Sequence, residues 1–263
     1  MELKIFHEYG IRIETYLRLN TFALAIKLLK NKKEIPTNAK RPKKDLGYHL
    51  SLCQAFAISR REGTSFIMLK DDMWCFEPVV GLGLAKAPQY FLEGHNRFPG
   101  TARTLEAGKN WAQSLPCFKL CKYEGIAFAP LSKTSFEPDL IILYCDPSQL
   151  TQIMIAINWI DGKDINCRLS GHAGCVYAIV PTIQNNQYQV TVPCIGDRKR
   201  ALAQNDELVF SSPIEKVKDL VAGLEALEKN KDGLPVKFQQ MPEYQLEESY
   251  AKIGKLMGMD IKN

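Results

Sequence analysis

The 263-residue chain predicts an α/β fold, a mixed sheet covered by helices. It reads as a single domain over 1–263, with candidate pseudo-symmetric halves at 17–121 and 122–227 and a helical tail at 228–263. Three observations predict this. Strand-length apolar runs alternate with helical patterns along most of the chain. Some runs, "GIAFAPL" (125–131) and "PDLIILYC" (138–145), are continuously apolar, as in strands buried on both faces. The 46% hydrophobic and 24% charged composition is that of a packed core rather than of disorder. The length is within reach of one large unit.

The elements follow in order. "NTFALAIKLL" (20–29) is a strand, and a basic loop follows it. "DLGYHLSLCQAFAISRREG" (45–63) sets Leu46, Leu50, Cys53, Phe56 and Ala57 at helical spacing, with Gly63 placed to end the helix. "TSFIMLKDDMWC" (64–75) is a strand through Leu69 and then a polar corner, which puts Cys75 at its far end. Gly81 and Gly83 in "GLGLAK" match neither a dinucleotide loop nor a P-loop and suit packing or a turn. "ARTLEAGKNWAQSL" (102–115) is helical, and the strands 125–131 and 138–145 come next. Pro147 ends the second of these strands and Ser148 caps a helix through "SQLTQIMIAINWIDG". "GHAGCVYAIV" (171–180) is a short helix or buried run ended by Pro181, and "NQYQVTVPC" (186–194) is an alternating strand. "GDRKRALAQ" (196–204) is a helix entered through Gly196 and capped by Asp197. After the strand "DELVFSSP", a long helix carries Ile214, Val217, Leu220, Val221, Leu224 and Leu227 along one face, and covers the sheet.

Several function classes fall away. The longest apolar stretches are about half of the ~20 residues a bilayer-spanning helix needs, and the N-terminus lacks the pattern of a secretory signal, so a cytoplasmic protein is expected. The formal charge of +5 sits in one loop. Residues 30–44 hold seven Lys/Arg and one Glu, leaving 27 basic and 28 acidic residues elsewhere. With Pro36, Pro42 and no interleaved aromatics, this loop reads as a solvated connection and nucleic acid is not an expected partner. Nothing in the sequence sets an oligomeric state.

Eight cysteines in a reducing compartment are thiols or metal ligands before they are disulfides. Cys53 lies in a helix and Cys75 follows 22 positions later at a strand end; Cys175 lies in a helix and Cys194 follows 19 positions later at a strand end. If the two halves face each other across a pseudo-twofold axis, these four thiols approach one another, which suits an iron–sulfur cluster or another thiolate-bound metal. Core packing is the plain alternative for any single cysteine. Cys117 and Cys121 stand at helical i,i+4 spacing and are held in reserve. In "CIGDRKR", Cys194 precedes Gly196, Asp197 and Arg198 at a helix start, where a thiolate or a bound anion is favoured. His172, three residues before Cys175, is a candidate ligand or base.

The segments "EPDLIILYCDPSQLTQIMIAINWIDG", "GCVYAIV", "VPCIGDRKRALAQNDELVFSSP" and "VKDLVAGLEAL", with "CQAFAISRREG" and "WCFEPVVGLGL" upstream, resemble the domain-of-unknown-function 169 family, the ArCR group, over most of 17–227. The resemblance implies one α/β domain and an archaeal or anaerobic bacterial setting, and it points to Cys53, Cys75, Cys175, Cys194, Gly196, Asp197 and Arg198. It does not extend to the Lys-rich loop or to Cys117 and Cys121. Three readings stay open: a cofactor or redox protein with a redox partner, an enzyme using Cys194, and a binding module for a small anionic ligand.

Overall fold

The computed structural model describes residues 3–36, 38–230, 252, 253 and 255–258. The chain divides into two units, Met1–Gly233 and Leu234–Asn263, and the first carries the fold. The predicted tail helix beyond 230 lies almost wholly outside the described residues.

Six strands form one sheet: β1 (Leu24–Leu29), β2 (Phe66–Leu69), β3 (Gly125–Pro130), β4 (Leu140–Cys145), β5 (Gln189–Thr191) and β6 (Leu208–Pro213), in the order β2-β3-β1-β4-β6-β5. The α/β class stands. The sheet is not mixed as expected: every pairing within it is antiparallel, and among the described residues parallel pairing is confined to two isolated bridges, Lys40 with Phe66 and Leu50 with Met73.

Strand periodicity splits the core in two. Leu24, Ile26 and Leu28 of β1 face one side with Ile126, Phe128, Leu140, Ile142 and Tyr144. Ala25 and Leu29 face the other with Ala127, Ala129, Ile141, Leu143 and Cys145. The second side is covered by α1 (Leu3–Leu17), α6 (Pro147–Asp161) and α9 (Val217–Asn230). The first is covered by α2 (Leu52–Glu62) and α7 (Gly174–Asn185), with the shorter α3 (Phe76–Gly81), α4 (Gln89–Leu92) and α5 (Leu105–Ser114) beside them. The remaining helix, α8 (Ile195–Arg200), joins β5 to β6. None of the described helices is long and apolar enough to cross a membrane.

Local sequence explains where the elements differ from expectation. The helix expected over 45–63 starts only at Leu52, because Ser51 and Gln54 form a reciprocal capping box that fixes the start, while Gly63 ends it in the left-handed region as expected. Asp146, not Ser148, caps α6, its carboxylate accepting from the Gln149 N–H. Pro181 does not end α7, which runs on to Asn185. Asp197 does not cap α8; that position belongs to Cys194. The segment around Cys117 and Cys121 is a loop rather than a helical face, held by the Phe118 N–H on the Gly81 carbonyl and the Cys121 N–H on that of Gly83. Gly83, at φ +71°, serves that close approach. The basic loop is also less free than expected, since the Arg41 guanidinium donates twice, at 3.0 Å, to the fully buried Asp72 carboxylate.

Candidate functional site

One cavity of about 210 Å³ opens on the face covered by α2 and α7, and Cys53, Cys75, Cys175 and Cys194 all line it. Each reaches it from a different element. Cys53 is the second residue of α2 and Cys175 the second residue of α7, while Cys75 immediately precedes α3 and Cys194 immediately precedes α8. The α7 start is pressed against the β5–α8 turn: a side chain at Gly174 would meet the Val192 carbonyl oxygen at 2.7 Å. Glycine there, with Ala173 in the left-handed region at φ 53°, lets Cys175 and Cys194 share the cavity.

The sulfurs have unequal surroundings. Cys194 receives a hydrogen bond from the Cys53 thiol and backbone N–H bonds from Asp197, Gly174 and Gly196, and these outweigh burial and hold its pKa below the ordinary thiol value. Cys53 is pushed up, first by donating to Cys194 and then by burial; its sulfur also lies 3.1 Å from the Ser51 hydroxyl. Burial pushes Cys175 well up. Burial does the same at Cys75, reinforced by the Glu77 carboxylate that accepts its S–H at 3.0 Å. Glu77 is in turn held by Arg97 at 2.9 Å, and the Arg97 guanidinium lies 3.9 Å from the centre of the Trp111 ring.

Behind the sulfurs is a buried polar chain. Asp197 accepts from the Tyr144 hydroxyl at 2.7 Å, Arg60 lies 4.0 Å from the centre of the Tyr144 ring, and Arg60 is clamped by Glu207 through two bonds, one of 2.9 Å. Burial raises the Asp197 carboxyl to about 7 despite the Tyr144 bond.

Of the other residues picked from sequence, His172 and Gly196 line the cavity. Burial, with Arg97 nearby, lowers the His172 pKa. Asp197 points away to Tyr144, and Arg198 turns back to donate to the Gln204 carbonyl, so Arg200 is the basic side chain of α8 that reaches the cavity. The six-residue α8 is too short for a substantial dipole, and individual N–H groups carry the polarity at Cys194. Ser51, Trp74, Phe76, Glu77 and Arg97 also line the cavity, and no sequence pattern had singled them out. Glu77 was within reach, two residues after a patterned cysteine; Arg97 had no local signal.

Among the described residues, no group of three or more His, Cys, Asp or Glu side chains converges closely enough to hold a single metal ion. A tetrahedral ion therefore needs the sulfurs to shift.

No solved structure matches the chain. The uncharacterised protein MJ0308 of Methanocaldococcus jannaschii is 25% identical over 228 residues, covering 86% of this chain and 96% of that protein. The family model DUF169, described as uncharacterised ArCR, matches residues 12–223. With the match running from the end of α1 into α9 and through all six strands and the whole cavity, the chain belongs to the DUF169 family.

Proposed function

We propose that the cavity is a thiolate cofactor site in which Cys53, Cys75, Cys175 and Cys194 hold an iron–sulfur cluster or, after a shift of the sulfurs, another thiophilic metal. One observation carries the proposal: four cysteines from four elements, separated by up to 141 positions, open on a single cavity. Buried cysteines used only for packing would be scattered through the core, as Cys145 is on the opposite face of the sheet. When bound, such a group supplies one-electron transfer or Lewis acidity.

The chain's own residues then do the rest. Backbone N–H groups at Cys194 stabilise sulfur-borne negative charge, and Arg97 offsets Glu77 beside Cys75. Arg200 and the exposed Trp74, whose ring centre lies 4.6 Å from the Arg200 guanidinium, give the mouth a positive, flat wall for a small anionic ligand or a redox partner. Free thiols at all eight cysteines fit a reducing compartment such as the cytoplasm.

The test is iron, other metals and acid-labile sulfide per chain, with the absorbance spectrum, on protein made and reconstituted without oxygen. Iron and sulfide in fixed ratio are expected, bound less fully and released more readily in Cys→Ser variants at each of the four positions and unaffected in Cys117→Ser, Cys121→Ser and Cys145→Ser. A reduced chain that takes up no metal after reconstitution overturns the proposal.

A further inference from the structure

We infer that the mouth of the cavity binds a small organic acid as its monoanion, with the carboxylate on the Arg200 guanidinium and the apolar body against Phe76 and Ile195. Arg200 is held in place before any ligand arrives. Its guanidinium lies 4.6 Å from the centre of the Trp74 ring, and that ring is itself fixed, because the indole N–H donates at 3.0 Å to Gln54 Oε1. Gln54 is held in turn by the capping box that starts α2, its Oε1 accepting from the Ser51 N–H at 2.9 Å. Stacking on an indole uses the face of a guanidinium and leaves the N–H donors at its edge for an anion.

Arg200 lacks an acidic partner. Glu77 is the one carboxylate among the described residues that line the cavity, and it is already engaged by Arg97 at 2.9 Å and by the Cys75 S–H at 3.0 Å. Of the Arg, Lys, Asp and Glu side chains in the lining, Arg97 and Glu77 therefore offset each other, and Arg200 is left with one positive charge to match one carboxylate. A planar fork of donors pairs with a carboxylate through two parallel hydrogen bonds. The surroundings favour an organic body over a bare ion. Phe76 and Ile195 are exposed apolar side chains of the same lining, and Phe76 is steadied edge-on by Phe91, with ring centres 5.2 Å apart. Covering them removes apolar surface from water. The inference rests on the cofactor reading for what the acid is held beside, whereas the binding itself needs no metal.

The experiment is isothermal titration of the full chain, metal-free and reduced, with sodium benzoate and sodium butyrate, and with benzamide and inorganic phosphate as comparison probes. Binding of at least one of the two carboxylates is expected, weakened about tenfold or more in Arg200→Gln. Arg200→Lys keeps the charge but not the fork and should fall between that variant and wild type. Lys199→Gln, which removes an exposed charge outside the cavity lining, should bind as wild type does. Benzamide, with the ring but no charge, and phosphate, with charge but no apolar body, should each bind more weakly than the carboxylate. Equal affinity in wild type and Arg200→Gln overturns the inference. So does binding of neither carboxylate, or binding of benzamide or phosphate as tightly as the carboxylate. Iron uptake on a separate sample reads the cofactor proposal alone: carboxylate binding without iron uptake leaves the acid site standing while that proposal fails, and iron uptake without carboxylate binding does the reverse.

Discussion

Asp139 stands just before β4 and does the work of a missing ladder bond. β1 pairs with β4 only over Leu24, Ala25 and Ile26, so the Leu28 N–H on that side has no backbone partner, and the Asp139 carboxylate accepts it at 2.7 Å. Asp139→Ala leaves that donor unpaired in the core and should cost about 1–3 kcal/mol in urea unfolding. Asp139→Asn keeps an acceptor oxygen and should cost much less. Burial raises the Asp139 pKa above the ordinary carboxyl value. The folded state therefore holds this proton more tightly than the unfolded chain, and the group's contribution to stability falls as pH rises from the unfolded value through the folded one, then levels off. The stability of Asp139→Asn relative to wild type should thus rise with pH across that window; a flat difference would place the carboxyl in an ordinary environment. None of this was legible in the sequence, where Asp139 is one polar residue ahead of an apolar run. The cysteines were legible because their spacing recurs, and Glu77 lay within reach two residues after one of them, whereas Arg97 acquires its role only from the path of the loop between α4 and α5.

Elements were legible where apolar period and capping residues agree, as in α2 with its Gly63 stop, and less so where a local rule yields to packing. Pro181 is tolerated inside α7 because nine residues, Gly174–Thr182, are buried there, and that tertiary burial outweighs a local break. The N-terminal helix α1 went unassigned although Phe6, Gly10, Ile13 and Leu17 recur at helical spacing, since its polar residues dilute the run. Closer still is the meeting of α6 and α9, where Gly223 is buried against the Ala156 backbone. A side chain at Gly223 would overlap the Ala156 carbonyl oxygen and lie 2.8 Å from its carbon. In an exposed helix, Gly→Ala gains up to about 1 kcal/mol. Here the two helices must separate, and overpacking of about 1–3 kcal/mol or more reverses the sign. Gly223→Ala should therefore lower the urea midpoint without changing the slope. A raised midpoint would mean that α6 and α9 are farther apart.

At the scale of the whole molecule, the sheet reads outward from its centre as β1, β3, β2 on one side and β4, β6, β5 on the other. In each direction a helix bearing a cysteine at its second position leads to the edge strand, and a second cysteine follows that strand just before a short helix. The two edge strands are about 24 Å apart, five strand spacings, yet the chain after each returns over the same face to one cavity. Corresponding positions need not be chemically equal. Cys194 is surrounded by backbone N–H donors that favour a thiolate, whereas Cys75 faces the Glu77 carboxylate, only partly offset by Arg97. If the four sulfurs hold one group, Cys194 is its stronger anchor, and partners of this kind shift metal affinity about 10–100-fold. In a chelator challenge of reconstituted protein, Cys194→Ser should lose iron faster than Cys75→Ser, and Glu77→Gln should slow the loss from an otherwise unchanged chain. The reverse order would mean that donor surroundings do not set the strength of the site, leaving position in the fold as its determinant.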